Sequence, residues 1–384
     1  MDVKSFIDTR KRGEADLVLW MVVIILIGIG IAVSYSASAV YALKVHGDSF
    51  YFLKKQILWF IIGFIALLLF QEIDYHNYIK YTKIMLFLSL ILLVLIFIPG
   101  IGHSVKGSVR WIDLFFLRFQ PAEFVKIFMV IYLVKVFSVE SSGPVNHVIQ
   151  LLIPMLIIAV MFIMIMFQPD FGTAIDLLVV SVFILFVSGF SFVYILMLSI
   201  VSIPMFYLLI YQVDYRKARL LAYLDPWQDR FGIGYHIIQS FIAFKKGGFW
   251  GVGLGLGYQK ISRLPEPHTD FILAVIAEEA GLIGTTFVLA LYCILFWRGL
   301  CISLGAPDEF GRLLAIGVTI LIVVQAFMNI GVVTGSLPTT GIPLPLISYG
   351  GSSLISNMIV LGILLNISKY SEYNSPFSIS HLPV

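Results

Sequence analysis

The sequence has few charged residues and almost no cysteine. Charged residues make up 12% of the 384 positions, against about 25% in a soluble domain, and 60% of the residues are hydrophobic. These values exclude an ordinary soluble domain and predict a polytopic membrane protein. The net charge of +3 is too small to indicate a nucleic acid as partner. The two cysteines, Cys293 and Cys301, suggest neither a disulfide framework nor a metal site, and we expect them to pack in one apolar helix.

Ten apolar segments are long enough to cross, or nearly cross, a bilayer about 30 Å thick. They predict an all-α polytopic membrane domain over residues 17–369, between a polar segment at 1–16 and a polar tail at 370–384 that we expect to be disordered. The first segment is too long for the core of a signal peptide, so we interpret it as an uncleaved helix. The segments are 17–40, 53–71, 80–98, 120–137, 147–166, 172–189, 192–211, 270–297, 312–334 and 346–367.

An even number of spans places both termini on one side of the membrane. Basic residues before the first segment, including Arg10, Lys11 and Arg12, favour the cytoplasm for that side, because cytoplasmic segments carry an excess of Lys and Arg. Two long loops, 99–119 and 212–269, then lie outside, the larger one between the seventh and eighth spans. Within it, residues 235–244 predict a helix lying flat at the membrane surface.

The stretch 247–271 is the polar centre of the sequence. It begins with glycines, has two prolines before His268, and continues into an apolar helix that we expect to begin at about Thr269. Asp270 then lies in the first turn of a membrane helix, where the helix N-terminus favours the charged carboxylate by roughly 0.3–1 kcal/mol. Two interpretations remain open: Asp270 caps the helix, or it acts as a base on a substrate at the membrane surface.

Charged residues also lie inside predicted spans, where each costs about 2.5–3.5 kcal/mol on insertion. Glu123 and Lys126 are three positions apart in the fourth segment, hence on one helix face. Either they form a structural ion pair, or Lys126 offers its ammonium group to an anion in a polar cavity. Asp176 has no cation near it in the sequence and needs a partner from another helix.

Three loop motifs are further candidates for binding. Arg110 could bind phosphate oxygens, or it could join Trp111 as an interfacial anchor. Lys245 and Lys246 precede glycines whose backbone amides could help to hold a pyrophosphate, although the spacing excludes a dinucleotide loop.

The third loop motif, residues 338–353, breaks the backbone between the ninth and tenth segments. Non-helical backbone at membrane depth is tolerated only against protein or a water-filled cavity. Ser348 and Ser352, together with the glycines around them, indicate a lined groove. A plain loop with a small packing face is the alternative.

These stretches together resemble the SEDS family of peptidoglycan glycosyltransferases (shape, elongation, division and sporulation proteins). The resemblance covers nearly all of the membrane part, from about residue 17 to 370, and residues 47–54 and 265–268 look more like the division branch than the elongation branch. The matching motifs are at 107–112, 120–123, 168–173, 225–227, 232–235, 239–240, 264–272 and 344–353.

The resemblance implies polymerisation of lipid II into glycan strands outside the cytoplasmic membrane of a bacterium, with a glycan carried on undecaprenyl pyrophosphate. As partners it implies a class B penicillin-binding protein, which is the division transpeptidase, and other division proteins. The family's essential aspartate corresponds to Asp270, which we expect to act as general base in an inverting transfer. The other residues implied to line the cavity are Glu123, Lys126, Arg110, Trp111, Glu266 and His268. A divalent cation, Mg²⁺ or Mn²⁺, is a candidate cofactor at the leaving pyrophosphate.

Two departures from the family pattern leave the pyrophosphate-binding residue open. The family usually has Thr-Lys-Gly before its last helix, whereas Thr340 stands at the lysine position here. It often has Gly-Ser where this chain has Lys245 and Lys246. Two other functions fit the same features: a transporter that flips lipid II, and a non-catalytic scaffold for the class B partner.

Overall fold

The computed structural model describes residues 13–105, 108–114, 117–138, 147–190, 211, 213–262 and 267–371. Most of these residues are helical, and the remainder include one small sheet. The elements are α1 (Leu17–His46), α2 (Tyr51–Glu72), α3 (Asn77–Leu95), β1 (Gly102–Val105), β2 (Ser108–Leu114), β3 (Leu117–Phe119), α4 (Pro121–Ser138), α5 (His147–Phe167), α6 (Phe171–Val187), α7 (Asp214–Leu224), α8 (Gly234–Gly247), α9 (Gln259–Ser262), α10 (Ile272–Leu304), α11 (Glu309–Val333) and α12 (Gly351–Ser368).

Short polar residues and glycine set several helix ends. Asp16 caps α1 by accepting a hydrogen bond from the backbone N–H of Leu19 at 2.8 Å, and Asp308 caps α11 in the same way through Gly311. Such caps satisfy N–H groups that have no partner inside the helix. At the other end of α1, Gly47 has φ 71°, a left-handed conformation that glycine adopts without a steric penalty.

The central helices of the bundle are α11 and α12. Of the most apolar 18-residue window in each helix, 83% is buried in α11 and 89% in α12, against 22% in both α2 and α3. Central helices need small residues at the positions where neighbouring helices approach them closely. Gly362 in α12 is one, because a β-carbon there would come within 2.6 Å of the carbonyl oxygen of Leu67 in α2. The peripheral helices instead expose apolar side chains, as lipid-facing helices do.

Six described helices are long and apolar enough to cross a membrane, and two shorter apolar helices, Leu151–Phe167 and Phe171–Val187, accompany them. Nine of the ten predicted segments coincide with helices. The seventh, 192–211, lies outside the described residues apart from Tyr211, so the count of ten spans stays a prediction. The boundaries of the polar tails, 1–16 and 370–384, also stay predictions.

The two ends of the described chain meet on one face of the bundle, as an even number of spans predicts. The backbone N–H of Gly13 donates to the carbonyl of Lys369 at 2.7 Å, and Asp16 forms an ion pair with Arg298 near the end of α10. We call this the terminal face, and the opposite one, which carries β1–β3 and residues 213–262 and 267–271, the loop face.

The residues on either side of the undescribed stretch 191–210 lie on opposite faces. Phe190 packs against Phe137 at the terminal-face end of α4, with ring centroids 4.9 Å apart. Arg216 donates to the carbonyl of Met166 at the loop-face end of α5, at 3.1 Å. The chain therefore changes face between residues 190 and 216, as the predicted seventh span requires.

The all-α prediction is wrong for the first long loop. Residues 102–119 contain an antiparallel sheet in the order β1-β2-β3, in which His103 pairs with Trp111 and Ile112 pairs with Phe119. Val109, Trp111 and Ile112 are residue types that favour strands. A pattern of apolar spans cannot reveal such a short sheet, because its strands are too short to give a periodic signal of their own.

The second long loop is also more structured than we predicted. It contains α7, α8 and α9, and the helix predicted at 235–244 is present as α8. This helix does not lie free on the membrane: it packs on α10 and α11, and Ser240 donates to the carbonyl of Val333 at 2.6 Å. The expectation for the cysteines was partly wrong, since both are free but Cys293 is exposed on α10.

Candidate active site

The helix that follows Asp270 is broken into two pieces. Gly281 in α10 has φ 65° and ψ −160°, so residues 272–280 form a short half-helix and the remainder forms the long span. The predicted start at Thr269 is wrong by three residues. The N-cap position belongs to Phe271, which makes no side-chain capping hydrogen bond, so Asp270 lies one residue before the cap. Residues 267–271 form turns in which Asp270 precedes the helix.

Asp270 is half-buried on the loop face, and an amide side chain holds its backbone. Asn329 in α11 donates through Nδ2 to the carbonyl oxygens of Asp270 and of Ile342, both at 2.8 Å. The carboxylate faces the segment before α12, since Asp270 Oδ2 lies 3.6 Å from the point where a β-carbon of Gly341 would stand. Asn329 therefore ties Asp270 to a non-helical backbone segment.

That segment, residues 338–350, is non-helical between α11 and α12, as predicted. Ser348 donates to the carbonyl of Thr269 at 2.7 Å and accepts from the N–H of Leu344 at 2.8 Å. Leu346 has φ 65°, a conformation that costs a non-glycine residue on the order of 1–3 kcal/mol and often occurs at functional sites. Gly30 of α1 lets this backbone approach, because a β-carbon there would come within 2.6 Å of the Leu346 carbonyl.

Aromatic side chains surround His268, two residues before Asp270. His268 is buried, and its ring centroid lies 4.6 Å from that of Phe52, 5.5 Å from Tyr349 and 6.1 Å from Tyr41. The N–H of Tyr349 also donates to the carbonyl of His268 at 2.9 Å. The start of α2 and the end of α1 therefore form a wall beside Asp270 that the sequence motifs alone did not reveal.

A second polar cluster lies where the sheet meets the start of α6. Asp170 caps α6 through the N–H of Thr173, accepts from Gln120 Nε2 at 2.9 Å, and lies 3.5 Å from Arg110 Nη1. Arg110 also donates to the carbonyl of Pro169. The arginine side chain therefore holds β2 against the turn before α6, and only 20% of it is exposed.

The two clusters are joined through the segment before α12. A β-carbon on Gly172 in α6 would lie 2.7 Å from the carbonyl oxygen of Thr340, and the next residue, Gly341, faces the Asp270 carboxylate. Thr340 itself is buried. Ser352 completes the connection, because it accepts from the N–H of Gln120 at 3.0 Å and donates to the carbonyl of Arg118 at 3.2 Å.

Lys126 belongs to a separate, closed cluster between α4, α6 and α12. Its ammonium group lies 2.7 Å from Asp176 Oδ2 and 3.3 Å from Glu123 Oε2, and Ser356 donates to Glu123 at 3.2 Å. All three charged side chains are buried. The partner that Asp176 required is Lys126 from another helix, and the ion-pair interpretation of Lys126 and Glu123 matches this geometry.

Among the described residues, Lys245, Lys246 and Trp111 belong to other elements than the turn that carries Asp270. Lys245 and Lys246 are exposed at the end of α8, where Lys246 sits 4.7 Å from the centre of the Tyr258 ring. Trp111 lies in β2, and Glu266 is outside the described residues. The structure thus brings His268 and Ser348 close to Asp270, connects Arg110 and Ser352 to it indirectly, and gives Lys126 and Lys246 partners elsewhere.

Sequence reasoning missed Asn329, Gln120 and the aromatic wall as parts of this site. Asn329 carried a signal, since it is an amide within an otherwise apolar segment, and polar residues in spans mark functional sites. No group of three or more His, Cys, Asp or Glu side chains within the described ranges is placed to hold a metal ion.

The fold and this site define a multi-pass membrane protein with a half-buried carboxylate at one face. A family model described as "Cell cycle protein", for FtsW, RodA and SpoVE, matches residues 16–373. The chain belongs to this family, which confirms the resemblance to SEDS proteins.

Related proteins and solved structures agree. Stage V sporulation protein E of Bacillus subtilis is 41% identical over 95% of this chain and all of its own length. A probable peptidoglycan glycosyltransferase FtsW of Geobacter sulfurreducens is 43% identical over 92% of this chain and 95% of its own. A solved chain of a peptidoglycan synthase complex, described as coordinating polymerization and crosslinking, has a TM-score of 0.76 at 26% identity. RodA of Thermus thermophilus has a TM-score of 0.69 at 25% identity, and each alignment covers 93% of this chain and 98% of the other.

Proposed function

We propose that this chain is a peptidoglycan glycosyltransferase that polymerises lipid II during cell division, with Asp270 as general base. The observation that carries the proposal is the placement of Asp270. Its carboxylate is half-buried at the loop face and faces Gly341 in the non-helical segment before α12. Relatives 43% identical over most of the chain are named as probable peptidoglycan glycosyltransferases.

The reaction is a single inverting displacement. The 4-hydroxyl oxygen of the acceptor's GlcNAc attacks the anomeric carbon of the donor's MurNAc, and the bond to undecaprenyl pyrophosphate breaks with its electron pair. The α-linked donor becomes a β-1,4 bond, so no covalent enzyme intermediate is needed. Asp270 accepts the proton of the attacking hydroxyl, and general-base assistance of this kind contributes typically 10²–10⁴-fold to the rate.

The neighbours of Asp270 are suited to fixing its geometry. Asn329 holds the backbone of Asp270 and that of Ile342 through one amide group, and Ser348 holds Thr269. A base held in this way stays at the position where the proton is released, and such preorganisation is a large part of catalysis. His268 and the aromatic wall close one side of the site to water.

The leaving pyrophosphate needs positive charge nearby. Arg110, Lys126, Lys245 and Lys246 remain the predicted candidates. Arg110 is connected to the segment that Asp270 faces through the contacts of Gly172 and Thr340, although it is already bonded to the turn at Asp170. Lys126 is paired with two carboxylates, so an anion would have to displace one of them.

The partner and the orientation follow from the same proposal. A solved structure with the same fold is described as part of a complex that coordinates polymerization and crosslinking, which supports a class B penicillin-binding protein as partner. With cytoplasmic termini the loop face is extracytoplasmic, which is where the polymer is made. Other division proteins are further expected partners.

The test is polymerisation of purified lipid II by the purified protein, with and without the class B partner. Asp270→Asn should abolish polymer formation in both conditions, because the amide cannot accept the proton. Asp113→Asn is the matched control, since Asp113 is a loop-face carboxylate in β2 that is 45% exposed and forms ion pairs with His103 and Arg118. Polymerisation by Asp270→Asn at the wild-type rate would contradict the base assignment.

Assays on the same purified protein also distinguish the enzyme from the two alternative functions, a lipid II transporter and a non-catalytic scaffold. A lipid II transporter would move labelled lipid II across pure liposomes and form no polymer. A scaffold would support polymerisation only with its partner, and it would do so equally well as Asp270→Asn. The placement of Asp270 at one face favours the enzyme, because transporter sites lie near the bilayer midplane.

A further inference from the structure

Residues 248–258, which we call the glycine loop, have a strict period-two pattern. Glycines occupy positions 251, 253, 255 and 257, and a large apolar residue follows or precedes each one. The backbone here forms turns and bends, and Gly251, Gly253 and Gly255 have φ between 81° and 106°, a region that favours glycine. The large apolar residues of the loop are all exposed: Phe249, Trp250, Val252, Leu254, Leu256 and Tyr258.

The inward side of the glycine loop packs against the break in α10. A β-carbon at Gly251 would lie 2.2 Å from the carbonyl oxygen of Glu279, and one at Gly257 would lie 2.9 Å from Glu278 Oε2. The N–H groups of Val252 and Gly253 donate to the carbonyls of Glu278 and Glu279, both at 3.0 Å. At Gly251 and Gly257 only glycine permits this approach, so these two positions hold the backbone of the loop against α10.

Two buried carboxylates hold the loop in place. Glu278 accepts from the N–H groups of Tyr258 and Gln259 at 3.0–3.1 Å, and Glu279 accepts from Gly255 at 3.1 Å. Glu279 also pairs with Lys260. Backbone that leaves helical structure near a membrane needs such partners, because unsatisfied N–H groups cost several kcal/mol each in lipid.

Contacts between α1 and α10 show the depth of this arrangement. At the terminal face, Asp16 pairs with Arg298. Roughly 20 residues further along α1, Ser36 donates to Glu279 at 2.7 Å, and 19 residues separate Glu279 from Arg298 along α10. At 1.5 Å per residue both paths measure roughly 30 Å, which is the thickness of the hydrocarbon core of a bilayer.

The glycine loop therefore lies at the second membrane boundary and not above it. Its exposed side continues into the exposed apolar surface of α10 just beyond the break, at Leu282, Ile283 and Phe287. Lys245 and Lys246 are exposed immediately before the loop, at the level where lipid phosphates lie. Aromatic residues such as Trp250 and Tyr258 are enriched at this level of membrane proteins.

We propose that the glycine loop is a membrane anchor whose outward apolar side chains insert among the acyl chains of the surrounding lipid. The occupant is the bilayer itself: the depth, the continuity with α10 and the flanking lysines all fit lipid. This assignment does not depend on the chemistry at Asp270, and it removes residues 248–258 from the extracytoplasmic loop that the sequence predicted.

The first test uses tryptophan fluorescence of the full chain in nanodiscs whose lipids carry brominated acyl chains. Bromine quenches only tryptophans that contact the acyl chains. Trp250→Phe should remove a part of the fluorescence that is strongly quenched. Trp227→Phe is the matched control. Trp227 is also exposed, but it precedes α8, whose 14 residues separate it from the glycine loop by about 20 Å. Its replacement should remove fluorescence that the brominated lipids do not quench.

The second test places a spin label at Leu254→Cys or, as control, at Phe231→Cys, in a chain with Cys293→Ala and Cys301→Ala. Phe231 is 94% exposed and Leu254 is 79% exposed, so both labels are at open positions. The label at 254 should be accessible to oxygen, which partitions into lipid, and protected from a water-soluble nickel chelate; the label at 231 should behave in the opposite way. Equal nickel accessibility at both positions would overturn the proposal, and so would protection at 254 that appears only after a partner protein is added.

Discussion

Asp270 and Asp176 are both carboxylates at the start of apolar helices, yet their surroundings differ completely. Asp176 is fully buried in α6 and lies 2.7 Å from Lys126 of α4. Asp270 is half-buried outside its helix and faces the backbone at Gly341. The charge of Asp176 therefore joins two helices inside the bundle, whereas Asp270 lies at a break in helical backbone and keeps part of its surface exposed.

The same contrast applies to the two buried lysine–carboxylate pairs. Lys126 joins long helices that pack along their lengths, while Lys260 joins the short helix α9 to the break in α10 through Glu279. Breaking a buried pair leaves an uncompensated charge and costs about 3–5 kcal/mol. Both pairs therefore hold parts of the chain together, and the predictions below compare such sites with Asp270.

The largest expected effect is on activity at Asp270. Asp270→Asn should lower the polymerisation rate by about 10²–10⁴-fold and change the stability by no more than about 0.5 kcal/mol, as for most substitutions away from buried networks. Polymerisation assays and thermal unfolding in the same detergent would measure both. A large loss of stability would place Asp270 in the same class as Asp176.

The next largest effect is at Lys126. Lys126→Met should destabilise the protein by about 3–5 kcal/mol, because Glu123 and Asp176 would then face each other without a cation. The measurement is the thermal unfolding midpoint or the yield of folded protein. Lys135→Met, at the end of the same helix, is the control with the same change of residue. An unchanged midpoint for Lys126→Met would mean that the cluster is open to water.

Asp176→Asn should be milder than Lys126→Met. The cluster contains two carboxylates and one ammonium group, so removing one carboxylate leaves Lys126 paired with Glu123 at 3.3 Å. We expect a loss of about 1–3 kcal/mol, the cost of weakening a buried hydrogen-bonded network. Both variants should be compared in one unfolding assay. A larger loss of stability for Asp176→Asn than for Lys126→Met would mean that the balance of positive and negative charges is not what stabilises the cluster.

At the terminal face, outside the spans, His76 lies between the carboxylates of Asp74 and Asp308, and we call these ion pairs the His76 bridge. His76 Nδ1 lies 2.8 Å from Asp74, and His76 Nε2 lies 3.2 Å from Asp308. Tyr75 also donates to Asp308. Burial lowers the pKa of His76, but its hydrogen bonds with Asp308 and Asp74 outweigh burial, so the pKa is raised above the ordinary 6.5. The pKa of Asp308 is lowered below 3.8, because the hydrogen bonds from His76 and Tyr75 outweigh its burial.

The smallest expected effect is the pH dependence of this bridge. The raised pKa of His76 contributes stability that is fully present below pH 6.5 and is lost as the pH rises through the pKa of His76 in the folded protein. The lowered pKa of Asp308 contributes stability that is present above pH 3.8 and is lost as the pH falls through the pKa of Asp308 in the folded protein. The thermal unfolding midpoint of the wild-type protein should therefore decrease as the pH is raised from about 6 to about 8. His76→Gln should flatten that slope, and an equal slope in the variant would assign the pH dependence to other groups.

The features that sequence predicted correctly depend on local patterns. Apolar segments of span length, the break at 338–350 and the helix within 235–244 follow from composition over a few turns. Motif resemblance identified the family, whereas the role of Asp270 as base stays a prediction. The helix start at Thr269 and the absence of strands from the first long loop were wrong, because a turn at 267–271 and a sheet of short strands leave no strong local signal.

The amino-acid sequence alone determined that this protein lies in a membrane, roughly where it crosses, and which carboxylate to examine, because hydrophobicity and helix breaking act over neighbouring residues. Only the tertiary structure decided that Lys126 pairs with Asp176, 50 residues away, that Asn329 holds Asp270, and that the glycine loop rests on Glu278 and Glu279. These contacts depend on which helix faces meet, and that is set by packing across the whole bundle.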